Sequence, residues 1–264
     1  MPGPVLTALG APTLWLALLV FARCAGLLWI MPVIGGKRVP RSVRLAEAFV
    51  LTVAILPSVW YANPAPPAAP TEKFFFLISE YLIGLALGTA VAIFFAAVSV
   101  CGALIGRAGG FSAAAALDPE LGDENGALET LLSLAALAVF LAAGGLEKFF
   151  TAFISLYGAV PPGALFAPQS VLTTLTSLLS QAAAFGAALA LPILAALFAL
   201  WLGGALLNRV TPQLHFLTMT LTFSGNLLAS LFVLHLAIGG ILLLVEARLP
   251  DWNALFPSLF SFRP

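Results

Sequence analysis

The side chains best equipped for chemistry in this chain of 264 residues are its carboxylates. Five of the eleven acids fall in one stretch: Asp118, Glu120, Asp123, Glu124 and Glu129. Two carboxylates can divide acid and base work when a pocket holds them apart and separates their proton affinities. A turn bounded by Pro119 and by glycines does not build such a pocket. The two histidines, His215 and His235, lie too far apart in sequence to share one metal, and they read as hydrogen-bonded interface residues. Cys24 and Cys101 belong to no C-x-x-C pair and read as small buried hydrophobes. The motifs H-E-x-x-H, G-x-x-x-x-G-K-[ST], G-x-G-x-x-G and G-x-S-x-G are absent. The expectation is a protein that is not an enzyme, with no catalytic residue, no metal site and no cofactor.

Two other charges stand out by their isolation. Arg23 lies near the middle of an apolar segment, where an arginine costs about 2.5 to 3.5 kcal/mol on insertion scales. It therefore faces protein or water, or snorkels to an interface. Glu80 has no basic residue at i+3 or i+4. It reads as seeking a functional or inter-subunit partner, with a position near the interface as the alternative.

The segments that must carry these residues are apolar. Hydrophobic residues make up 61% of the chain and charged ones 8%, with a mean hydropathy of +1.09. A soluble domain is about a quarter charged, so this composition predicts an all-α integral membrane protein with long kinked helices and helical hairpins. A formal net charge of zero argues against a nucleic-acid partner, which needs a clustered basic face. The N-terminus lacks the positive region of a signal peptide and is expected to stay as the first embedded helix, Thr13 to Ile34. Lys37, Arg38, Arg41 and Arg44 form the only cationic cluster. If the first helix crosses a bilayer, the positive-inside rule puts that loop in the cytoplasm.

Further segments are expected at Leu45 to Tyr61, Phe74 to Gly106, Thr130 to Gly145 and Phe149 to Val160. Embedded stretches around Leu172 and from Ala182 to Leu207, kinked at Pro192, follow, and the last helix runs from Leu217 to Val245. A proline-rich linker follows Tyr61, and Pro161-Pro162-Gly163 is a stop. Trp252, Phe256 and Phe260 in the tail suit a membrane interface. The third segment is overlong: about 33 residues make about 50 Å, against a hydrocarbon core of about 30 Å. Either it tilts strongly and projects, or Gly84 and Gly88 let it bend against a neighbour, or its surroundings are a protein assembly and not lipid. Gly102, Gly106 and Gly110 recur every fourth position, a spacing that clears a groove for another backbone, and Asp118-Pro119 then breaks the helix. A solute carrier remains one reading, although no repeat is found. A subunit of a larger channel explains more, because neighbouring chains would complete the grooves and the unpartnered Arg23 and Glu80.

Four blocks, in order over nearly the whole chain, point to one family. They are FARCAGLLWIMPVIGGKRVPRSVRLAEAFVLTVAILP, IGRAGGFSAAAALDP, GAVPPGA and LALPILAALFALWLGGALLNRVTPQLHF. Together they resemble the FliR family of the flagellar type III protein export gate, which is related to the injectisome SctT family. The N-R-x-x-P-Q-L block favours the flagellar branch.

The resemblance implies a subunit of a closed helical hetero-oligomer with FliP-like and FliQ-like membrane subunits. FlhB-like and FlhA-like components serve the same gate, and unfolded secreted proteins pass through it. It implies a multi-pass protein of the bacterial inner membrane and flagellar basal body, in contact with lipid. Residues 1–170 would be FliP-like and 171–250 a FliQ-like hairpin, with 251–264 as a tail. Such gates are raised out of the bilayer, which would accommodate the overlong helix and remove the premise of the topology rule. Carried over by position, Gly106, Gly109, Gly110, Phe111 and Ser112 form the pore plug loop, with Asp118 and Pro119 at its end. Arg107 and the Ala113 to Ala116 run depart from the commoner pattern. Close helix packing alone is the alternative role for these glycines. Arg23, Glu80, Arg209 and Gln213 are the expected subunit contacts.

Overall fold

The computed structural model describes residues 11–32, 39–62, 64–109, 126–165, 168–210 and 215–260. Among them every regular element is helical, as the composition requires. Helix α1 spans Ala11–Ile30, and Met31, in front of Pro32, is already outside it, because proline pushes its predecessor from helical geometry. Helix α2 (Arg41–Val59) begins directly after Pro40 and runs into a 3-10 turn at Trp60–Ala62.

Helix α3 covers Pro70–Ala108, 39 residues. Its first position is a proline, whose fixed φ suits a helix start and whose missing N–H leaves no orphan donor. Glu72 in its first turn and Arg107 in its last complement the helix dipole. At 1.5 Å per residue it is about 58 Å long, nearly twice a bilayer core.

Helices α4 (Ala127–Ala142) and α5 (Gly145–Ala159) are separated at Gly144, whose φ of 68° is left-handed and open to glycine at no steric cost. Glu147 and Lys148, just ahead of the segment expected from Phe149, are exposed residues inside α5. Helix α6 (Pro168–Val210, 43 residues) also starts on proline and continues through Pro192. The stretches expected around Leu172 and from Ala182 onward are thus one helix, since no proline or glycine falls between them. Helix α7 is His215–Ala247 and α8 is Trp252–Phe260. Asp251 caps α8, its carboxylate accepting from the backbone N–H of Asn253 at 3.1 Å. Four of these helices are long and apolar enough to cross a membrane, or up to six if each of two bent pairs counts as one span.

The chain folds as two units. One is built from Met1–Ile93, Gly144–Leu179 and Pro250–Pro264. In it α1 packs on α2, and α8 packs on α5. Phe149 meets Phe256 edge-on at 5.4 Å and Trp252 at 5.8 Å, and such ring pairs add about 0.5 to 1.5 kcal/mol beyond burial. Trp252 and Phe256 are 2% and 0% exposed, so they are core residues and not the interface anchors expected from the sequence. The reason is local: Trp252, Phe256 and Leu259 fall on one face of α8, and that face is covered.

The other unit is built from Phe94–Ala143 and Ser180–Leu249. Its α4 packs on α7, where Leu234, Ile241 and Val245 are buried. Phe95 meets Phe140 edge-on at 5.5 Å. A Cβ at Gly102 would lie 2.7 Å from the Glu129 Cα, and one at Gly186 would overlap the Ala97 carbonyl, so both glycines admit a neighbouring backbone.

Candidate functional site

Among the described residues, the buried charged side chains meet where α1 crosses α3. Three glycines make the crossing close. A Cβ at Gly26 would overlap the Tyr81 carbonyl, one at Gly84 would overlap the Arg23 carbonyl, and one at Gly88 would stand 2.5 Å from the Leu27 carbonyl. With the two backbones in contact, Arg23 on α1 and Glu80, one turn before Gly84 on α3, reach each other directly. Arg23 Nε donates to Glu80 Oε2 at 2.6 Å and Nη2 to Oε1 at 3.1 Å, with both side chains 0% exposed. This two-point fork is the strong form of a carboxylate–guanidinium contact.

The pair also holds the chain that leaves α5. Arg23 Nη1 donates to the Val160 carbonyl at 3.1 Å, and the backbone N–H of Gly163 donates to Glu80 Oε1 at 2.7 Å. Ser79 Oγ, beside Glu80, donates to the Ala164 carbonyl at 2.8 Å. The guanidinium lies over the Tyr157 ring, 4.3 Å from its centroid, a placement that is favourable for a cation on an aromatic face. Gly163 has a φ of 89°, which strains any other residue. Pro161-Pro162-Gly163 is therefore a clasped turn, held by side chains from two helices that lie far from it in sequence.

Arg23 and Glu80, which looked unpartnered in sequence, are each other's partner within the chain, because the glycine crossing brings α1 and α3 together. Tyr157, Ser79, Val160 and Gly163 were not foreseen as members of the cluster. A signal was available: two lone opposite charges in apolar segments pair more cheaply with each other than with nothing.

The other expected site residues are placed as follows. Gly106 and Gly109 close α3: Gly106 is half-buried near Leu128, and the Gly109 N–H donates to the Ile105 carbonyl at 2.8 Å. Gly110, Phe111, Ser112, Asp118, Pro119 and Gln213 lie outside the described residues. Arg209 is exposed in the last turn of α6. Of the acid-rich stretch, Glu129 opens α4 and accepts a hydrogen bond from Ser99. Cys24 and Cys101 are buried and unbridged. Among the described residues no group of three or more His, Cys, Asp or Glu side chains could hold a metal ion.

Residues 14–251 match the family described as bacterial export proteins, family 1. The chain is similar to the flagellar biosynthetic protein FliR of Escherichia coli (strain K12), at 32% identity over 219 residues covering 80% of this chain and 82% of that protein. It is similar to the FliR of Caulobacter vibrioides at 24% identity over 244 residues, 92% and 96% of the two chains. The surface presentation of antigens protein SpaR of Shigella sonnei is 24% identical over 220 residues, 82% of each chain.

Proposed function

The chain belongs to the FliR family of bacterial export proteins, and from that membership we propose that it serves the type III export apparatus as one wall of the gate. In this reading it assembles with FliP-like and FliQ-like subunits in the bacterial inner membrane, at the flagellar basal body. Unfolded flagellar proteins pass through the assembly, delivered by FlhA-like and FlhB-like components. Residues 1–170 take the FliP-like role and 171–250 the FliQ-like role. The conduit is passive: no nucleotide-binding motif is present in the sequence, so the driving energy comes from outside the chain.

One observation supports this reading beyond the family itself. Helices α3 and α6 outrun a bilayer core of about 30 Å, at about 58 and 64 Å, and α6 leaves Leu172, Leu191, Phe198 and Leu206 at 57 to 70% exposure. Apolar side chains at points along a helix that long fit sister subunits better than lipid alone. The test is purification of the chain alone and together with FliP-like and FliQ-like proteins of the same host. Recovery only in the joint assembly is expected; a solitary protein that moves a small solute in liposomes would point to a carrier instead. The flagellar assignment rests on the N-R-x-x-P-Q-L block and on the 32% identity to the FliR of Escherichia coli, since the FliR of Caulobacter vibrioides and SpaR are equally distant at 24%.

Residues 106–119 are assigned the plug that keeps the gate shut. Deleting residues 109–112 is expected to raise ion leakage across the membrane without abolishing assembly. Unchanged leakage in a complex that still forms would remove the plug assignment.

A further inference from the structure

Outside a helix or sheet, backbone groups in apolar surroundings have no built-in partners, and each one left bare is costly. The turn after α5 meets only part of its own demand. The Val160 N–H donates to Leu156 and the Ala164 N–H to Pro161, while Pro161 and Pro162 carry no N–H. Of the groups that remain, the carbonyls of Val160 and Ala164 and the N–H of Gly163 receive Arg23, Ser79 and Glu80 respectively. The proline pair with a left-handed Gly163 leaves the turn little freedom to turn them inward.

We infer that Arg23 and Glu80 form a directional lock on residues 160–164, in which a donor must face the Val160 carbonyl and an acceptor must face the Gly163 N–H. Their mutual attraction keeps the two ends in place; the recognition is of the turn's backbone dipoles. The lock sets where α5 ends and how the chain is passed on toward α6. The inference stands apart from the export reading, since it concerns how this chain holds its own turn.

A lock of this kind has a polarity that an ion pair alone lacks. Exchanging the residues keeps both charges, yet it sets a carboxylate against a carbonyl oxygen and a guanidinium against an N–H. A pair of glutamines loses both charges, yet each amide can present the needed donor or acceptor. The experiment replaces the native copy in its host by Arg23→Glu/Glu80→Arg or by Arg23→Gln/Glu80→Gln, and compares the amount of chain in membranes by immunoblot. A directional lock ranks the glutamine pair about tenfold above the exchanged pair, the scale of one buried backbone group left unpaired. A second readout adds Ala164→Cys and measures maleimide labelling in native membranes, with buried Cys24 and Cys101 as background. Labelling should rise more in the exchanged pair than in the glutamine pair. If the exchanged pair accumulates as well as the glutamine pair or better, at whatever absolute level, the charges alone matter and the inference is overturned.

Discussion

The two units are fastened by different means. Around α1, the start of α3 and α5, a bidentate ion pair, a serine and an aromatic face converge on one turn. Around the end of α3, α4 and α7, the fastening is mostly backbone against backbone at Gly102 and Gly186, ring against ring at Phe95 and Phe140, and one hydrogen bond from Ser99 to Glu129. Both are apolar, so hydrophobicity does not separate them. The difference lies in what the backbone does. A helix satisfies its own N–H and C=O groups and needs only close packing, whereas the turn after α5 must borrow partners, and it borrows charged ones.

The sharpest way to break this contrast is to remove one end of the clasp. Glu80→Ala leaves the Arg23 guanidinium buried and uncompensated, and should cost about 3 to 5 kcal/mol. Arg23→Ala should do the same from the other side, in each case read as lost chain in membranes and a lowered unfolding temperature. Loss of less than about 1 kcal/mol from either would mean the clasp is ornamental.

The contrast is sharpened by hitting the feature the two units share. Gly84→Val and Gly186→Val each drive a side chain into a backbone carbonyl, with an expected cost of about 1 to 3 kcal/mol or more. Similar losses in both would establish that close backbone approach is common to the molecule; tolerance at Gly186 would confine it to the clasped unit. The smallest effect is expected at Ser99→Ala, which removes a single hydrogen bond worth about 1 kcal/mol. A loss there approaching that of Glu80→Ala would erase the distinction between the units.

How much of this was legible beforehand follows from the same physics. The stop at Pro161-Pro162-Gly163 is written in residues that act locally, and reading it needs no knowledge of the fold, whereas α3 starts four residues before the expected Phe74, at a proline that reads as part of the linker. The glycine spacing announced a close neighbouring backbone that the structure shows at Gly102 but not at Gly106, where a Cβ would find the Leu128 side chain nearest, at 3.8 Å, and it did not announce that α4 would be that neighbour. The pairing of Arg23 with Glu80 spans 57 positions and depends on where α1 and α3 cross, which periodicity does not encode. The passage of α6 through Pro192 was read in advance, whereas the joining of the Leu172 stretch to the same helix was not, because an uncharged run carries no local mark of where one element continues into the next. Phe256 misled because an aromatic near the end of an apolar chain suits an interface and a core equally well.

The clasped unit is assembled from three separate lengths of chain, and that arrangement bears on the order of events during synthesis. Phe149 and Phe153 leave the ribosome well before Trp252 and Phe256, the rings that cover Phe149. Until the last length arrives, an oily face stands open on a nascent polypeptide whose first helices are already made. Whatever shields that face in the interval, a membrane, a chaperone or a sister chain, must then yield it to the molecule's own late-made helix.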